Sequence, residues 1–213
     1  MLKVEYSSYI AGCVSDFISK ARYEHVIEDL MNDSQIIFKS QYRHIDNQPN
    51  GEPDFIDINN GEKYDAKLFL TEKQGKDLGA RNKNVQDYAE CIVKINNEMC
   101  EYLQHPDSIA IENTTLYKRL IWLINRIKED ENLIVLFPYA FMNKYSTSIL
   151  DNFTSDYLDV VYRYIKGYFV NRKLFFIYLT MDNYIALRQM GNNATEYLKN
   201  DDFLKYFRID YMA

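Results

Sequence analysis

Gly51-Glu-Pro-Asp-Phe-Ile-Asp-Ile-Asn-Asn-Gly-Glu-Lys-Tyr-Asp-Ala-Lys-Leu-Phe-Leu70 reads as two strands joined by a tight turn. Asn60-Gly61 is the strongest short-range hairpin signal in the chain, because a two-residue type I′ loop needs positive φ at both central positions and Asn and Gly tolerate it best. With those two as the loop, Asn59 pairs with Glu62, Ile58 with Lys63, Ile56 with Asp65 and Asp54 with Lys67. Opposed residues share a face, so Asp54, Ile56, Ile58, Lys63, Asp65 and Lys67 fall on one side of the ribbon, and Phe55, Ala66 and Leu68 on the other. Asp54 and Lys67 would then lie roughly 5 Å apart at Cβ, with Asp65 roughly 7 Å away on the diagonal. Pro53 begins the first strand, where its missing N–H costs least. The grouping depends on parity: a bulge or a three-residue loop would turn one strand over and scatter it.

Two carboxylates and an ammonium converging on one face suit a hard divalent cation, which takes oxygen ligands. Pro53-Asp54, a short hairpin, then Asp65-Ala66-Lys67 resembles the signature of the PD-(D/E)XK nuclease superfamily, the restriction-endonuclease-like fold. The resemblance covers roughly residues 10–103. It implies an α/β fold with a mixed central sheet flanked by helices, whose core runs helix, three strands, helix, strand over about residues 9–137. An elaborated C-terminal half, about 138–213, would complete a single domain spanning 1–213. It also implies that Asp54, Asp65 and the Ala66 carbonyl hold Mg²⁺, with Mn²⁺ able to substitute, while Lys67 helps to activate the attacking water or steadies the phosphate. Many members carry Glu where this chain has Asp65. Gln86 and Tyr88 lie too close together for the Gln/Tyr spacing of exonuclease-type relatives, so that subgroup is not assigned.

Upstream, residues from about Tyr9 to Met31 read as a helix. At roughly 100° per residue, Ile10, Val14, Phe17, Ile18 and Ala21 form one stripe that continues onto Glu24, His25 and Glu28. An acid extending an apolar stripe calls for a partner or a metal. In the resembled family the first helix often supplies a metal-site glutamate, which makes Glu28 the first candidate and Glu24 the second. The alternative is that the stripe drifts onto Ile27 and Leu30 while both glutamates reach solvent. Gln35–Tyr42, rich in β-formers, reads as the first strand, and Asn47–Gly51 as a turn into the hairpin.

Downstream, Lys73, Lys76, Arg81 and Lys83 sit in a polar, glycine-containing loop that could meet a nucleic-acid backbone near the metal or simply be solvated. Val85–Leu103 and Thr115–Lys128 carry apolar residues at helical spacing. Glu129-Asp130-Glu131 reads as a solvated turn. Leu133–Phe137 and Leu174–Leu179 are continuous apolar runs of strand length, as expected in a sheet covered on both faces. Ser155–Phe169 and Asp182–Met190 read as helices and Phe207–Tyr211 as a last strand. Alternation of buried strands and helices from 115 onward describes α/β architecture.

The 213 residues, 47% of them hydrophobic, are enough to bury a sizeable core. A net charge of −6 gives no global attraction for nucleic acid, so a phosphate-binding surface would have to be local. Cys13, Cys91 and Cys100, and His25, His44 and His105, show no metal-ligand spacing. There is no glycine-rich phosphate cradle, no apolar run of membrane-spanning length and no signal-like N-terminus. These features suggest a soluble cytoplasmic protein with no membrane partner. Two functions stand. One is a Mg²⁺-dependent nuclease acting on DNA, or RNA, as a homodimer or as a subunit of a bacterial defence or DNA-processing complex. The other is a non-catalytic binding or scaffold subunit in which Asp54 and Lys67 form only a cross-strand salt bridge.

Overall fold

Apolar residues at alternate positions, interrupted by polar turns, build the sheet that organises this chain. The computed structural model describes residues 23–45, 52–69, 91, 94–95, 97–137, 149–179, 184–192 and 194–199. Their order is α1 (Tyr23–Asp33), β1 (Tyr42–His44), β2 (Phe55–Asp57), β3 (Lys63–Leu68), α2 (97–104, with 91, 94 and 95 also helical), α3 (Thr115–Ile124), β4 (Glu131–Phe137), α4 (Ile149–Ile165), β5 (Leu174–Leu179), β6 (Tyr184–Gln189) and β7 (Ala194–Lys199). Single 3₁₀ turns cover Ile111–Asn113 and Lys166–Phe169. The seven strands form one mixed sheet in sequence order, β1 to β7. Neighbouring strands pair antiparallel along β1–β2–β3, parallel along β3–β4–β5, and antiparallel again along β5–β6–β7.

The parallel centre explains the apolar runs. All seven residues of β4 are buried, because parallel strands linked by helical crossovers are covered on both faces. On one face Phe55, Tyr64, Ala66, Ile134, Leu136, Phe175 and Ile177 pack beneath Val26, Ile27, Leu30 and Met31 of α1. Against the other face, beside Leu133, Val135, Phe137 and Phe176, lie Cys91, Ile95 and Met99 of the α2 segment, Leu116, Leu120, Leu123 and Ile124 of α3, and Leu158, Val161 and Ile165 of α4. Thr114 caps α3, its hydroxyl accepting from the Tyr117 N–H, a contribution of about 1 kcal/mol in comparable helices. Among the described residues no helix is long and apolar enough to cross a membrane.

Several expectations change. Gln35–Gln41 is not a strand, and β1 is confined to Tyr42–His44. The N–H groups of Gln35, Ile36 and Ile37 instead donate to the Glu196 carboxylate at 2.8–3.1 Å, which removes the need for a ladder partner. Within the segment read as a helix over Asp182–Met190, Tyr184–Gln189 forms β6, and β7, not anticipated, pairs with it around a turn in which Gly191 takes φ 89°. Helix α3 ends at Ile124 rather than Lys128, closed by Asn125, whose N–H donates to the Ile121 carbonyl. Glu131 is the first residue of β4 and is 2% exposed, so only Glu129 and Asp130 are solvated. The strand expected at Phe207–Tyr211 and the stripe from Ile10 to Ala21 lie outside the described residues.

Candidate active site

The hairpin between β2 and β3 is two residues out of the expected register but keeps its parity. Phe55 pairs with Tyr64 and Ile56 with Lys63, and the Asp57 N–H donates to the Glu62 carbonyl at 2.9 Å. Residues 58–61 therefore form the loop. Side chains decide its length: Asp57 Oδ1 accepts the Asn59 N–H at 2.8 Å, and Asn60 Oδ1 accepts the Glu62 N–H at 2.8 Å. Such Asx bonds satisfy loop backbone that a two-residue turn would place in the ladder. Gly61 closes the loop at φ 75°, its N–H donating to the Asp57 carbonyl at 2.9 Å.

Continuing the observed register by one residue sets Asp54 level with Asp65 rather than with Lys67. A shift of two residues leaves every side chain on its original face, so Asp54, Asp65 and Lys67 still converge. Lys67 Nζ lies 3.8 Å from Asp54 Oδ2 and directly against Asp65 Oδ1. Asp54 is fixed from below by the Ala66 N–H, which donates to its Oδ2 at 2.7 Å. Parallel pairing of Asp65 with Leu133 and Lys67 with Val135 puts the group on the face covered by α2, α3 and α4.

Electrostatically this is a crowded place. Asp54 and Asp65 are 8% and 6% exposed. Burial, with the Asp54 charge adding to it and Lys67 opposing it, pushes the Asp65 carboxyl up to about 7. Two acids share one ammonium, and Asp65 Oδ1 is buried with Lys67 as an ion-pair partner but without a well-aligned hydrogen bond among the described residues. A pair of like charges held in low dielectric favours a proton or a cation between them.

Glu28 and Glu24 lie beside this group rather than in it. The buried stripe of α1 runs through Val26, Ile27, Leu30 and Met31, and α1 packs on the opposite sheet face from Asp65. Glu28 Oε1 accepts the His44 N–H at 2.9 Å and its Oε2 lies 3.7 Å from His25 Nδ1. Glu24 Oε2 lies 3.1 Å from His44 Nε2. The link to the acid pair is backbone, the Ile45 N–H donating to the Asp54 carbonyl at 2.9 Å. Among the described residues no three His, Cys, Asp or Glu side chains are grouped to hold a metal ion. Lys73, Lys76, Arg81 and Lys83 lie outside the described residues. No family model, curated protein or solved structure matches the chain.

Proposed function

We propose that the chain is a metal-dependent nuclease of the restriction-endonuclease-like kind, hydrolysing phosphodiester bonds in DNA or RNA. The observation that carries this reading is the convergence of Asp54, Asp65 and the Lys67 ammonium on one sheet face. The succession of helix, three strands in antiparallel pairs, two helices and a fourth strand parallel to the third is compatible with it.

The donor set fits Mg²⁺, with Mn²⁺ able to substitute. Two buried carboxylates sharing one ammonium match an ion that takes one or two protein carboxylates and completes its shell with water and substrate phosphate. Asp54, Asp65 and the Ala66 carbonyl would hold it, and Glu28, whose oxygens face His44 and His25, would reach that shell only through water. A bound divalent ion supplies Lewis acidity and a water of lowered pKa. The chain does the rest. The Ala66 N–H fixes one Asp54 oxygen and leaves the other for the ion. Lys67, seated between the two acids, would offer its ammonium to the attacking water or to the charge developing on the phosphate. Lys73, Lys76, Arg81 and Lys83 hold the substrate backbone.

Incubating purified protein with single- and double-stranded DNA and RNA in Mg²⁺ and Mn²⁺ tests this directly. Cleavage is expected to disappear in Asp65→Ala and in Lys67→Ala; cleavage that survives both sinks the assignment. A second reading has its own observation: Lys67 is seated against Asp65, with no third acid grouped nearby among the described residues. That arrangement suits a degenerate site in a scaffold subunit of a larger complex. Mn²⁺ separates the two, because an unneutralised acid pair gains melting temperature on binding the ion, whereas a spent salt bridge does not.

A further inference from the structure

Residues 115–128, which form α3 and the turn after it, carry four cations and no acid in a chain of net charge −6. At roughly 100° per residue, Leu116, Leu120, Leu123 and Ile124 point into the core, while Arg119, Trp122 and Arg126 line one flank beside the outward-facing Lys118. The Arg126 N–H donates to the Leu123 carbonyl at 3.0 Å, so the helical path continues to it past Ile124. Arg119 fixes which way that flank is turned. Its Nε donates to Cys91 Sγ at 3.1 Å, and its guanidinium lies 5.6 Å over the Phe69 ring. Phe69 stands two residues beyond Lys67 and continues the ladder, its N–H donating to the Leu136 carbonyl at 2.9 Å, so it shares the face of Asp65 and Lys67. The flank is therefore turned toward the strand that carries the acid pair.

Two cations of this row are unneutralised. Lys63, Lys94, Lys128 and Lys173 each lie within 4.0 Å of a carboxylate, whereas among the described residues no carboxylate pairs with Lys118 or Arg126, both of them exposed. Acids near the helix ends are occupied: Glu98 accepts the Thr115 N–H and hydroxyl at 2.7 and 2.8 Å, Asp130 pairs with Lys63, and Glu131 with Lys128. Glu112 and Glu129 stay exposed beyond those ends. The Arg126 guanidinium lies 3.9 Å over the half-buried Trp122 ring. That contact restrains the side chain through its π face and leaves the in-plane N–H donors for an acceptor. Two cations and an indole in one row match what a nucleic-acid strand offers, phosphate oxygens for the cations and bases for a stacking plane.

We propose that the row of Lys118, Trp122 and Arg126 on α3 is a contact surface for a single nucleic-acid strand. Lys118 and Arg126 meet its phosphates, and a base stacks on the Arg126–Trp122 pair. That this strand is the substrate of the acid pair rests on the nuclease reading; the binding itself does not.

Fluorescence anisotropy of the full chain with a labelled oligothymidylate of about 15 nucleotides, in EDTA, tests it. The strand should bind, with an affinity that falls as salt rises. Joint Lys118→Gln and Arg126→Gln substitution should weaken binding about ten-fold or more, with the melting temperature unchanged. It should also flatten the slope of log affinity against log salt by about 1.4, two phosphates at about 0.7 each. Trp122→Ala should cost about ten-fold, whereas Lys166→Gln, on the 3₁₀ turn after α4, should bind as wild type does. No binding at about 10⁻⁴ M in low salt, or wild-type affinity in the joint variant, would overturn the proposal. So would polyglutamate displacing the strand as well as unlabelled oligothymidylate does, which would mark the row as a face for an acidic protein. Binding without cleavage in Mn²⁺ would sink the nuclease reading and leave this surface standing. Cleavage by wild type, with wild-type affinity in the joint variant, would do the reverse.

Discussion

Asp65 and Glu196 are both carboxylates in the wall of the same sheet, about equally exposed at 6% each, and they are treated in opposite ways. Around Glu196 the fold supplies a hydroxyl and three backbone N–H donors. Burial works against its ionisation, but Ser34 and those N–H groups outweigh it and hold the carboxyl below its usual value. Around Asp65 the fold supplies a second acid and one shared lysine, and the carboxyl rises to about 7. A satisfied buried carboxylate ties elements together; a starved one costs stability and is retained where a ligand completes it. On the proposed reading, the contrast separates a structural acid, Glu196, from a site acid, Asp65.

The largest effect expected from this contrast is on turnover. Asp65→Asn and Lys67→Ala should each lower metal-dependent cleavage by about 10²–10³-fold or more, the scale of removing a preorganised electrostatic group. Asp65→Asn should leave the melting temperature unchanged or raise it, since it removes a repulsion. Next, Glu196→Ala should cost about 2–4 kcal/mol in a denaturant titration, because it strands a buried hydroxyl and backbone donors, while any cleavage activity persists in the folded fraction. Glu196→Ala losing activity without losing stability would break the comparison.

pH sharpens it further. A carboxyl whose folded pKa is raised contributes stability below its unfolded value, near 3.8, and loses it as pH climbs toward about 7. Wild type should therefore lose melting temperature relative to Asp65→Asn across that window. Glu196 is lowered, so its contribution is present above its ordinary value of 4.5 and disappears as pH falls through the folded value. The deficit of Glu196→Gln should shrink in acid, and melting curves of the three proteins from pH 3 to 8 order read both slopes. The smallest effect is at the loop. Gly61→Ala meets no atom within 4 Å of the new Cβ, so its cost is conformational, about 1 kcal/mol for a left-handed residue, read from the denaturation midpoint.

Some of this was legible from sequence alone and some was not, for physical reasons. Leu133–Phe137 and Leu174–Leu179 declare themselves because a strand covered on both faces has no polar position to disguise it. Asp54, Asp65 and Lys67 share a face because parity is robust: the loop grew from two residues to four, and side-chain faces survive any even shift. The direct opposition of Asp54 to Asp65 was hidden in the Asp57 and Asn60 side-chain caps, a local signal that was present in the sequence. Tyr184–Gln189 misled because Ala186, Leu187, Arg188 and Gln189 are all helix formers; β5 on one side and β7 on the other decide for a strand. Gln35–Ile37 misled in the other direction, and nothing nearby could have corrected it. The acceptor for their N–H groups is Glu196, about 160 residues away, and the pairing exists only once the sheet has closed.

Calorimetric titration of Mn²⁺ into wild type, Asp65→Asn and Glu196→Gln tests the central claim most directly. The account predicts saturable binding to wild type, its loss in Asp65→Asn and its retention in Glu196→Gln. Wild type that takes up no Mn²⁺, or Asp65→Asn that binds it as wild type does, would contradict the assignment of the acid pair as a cation site.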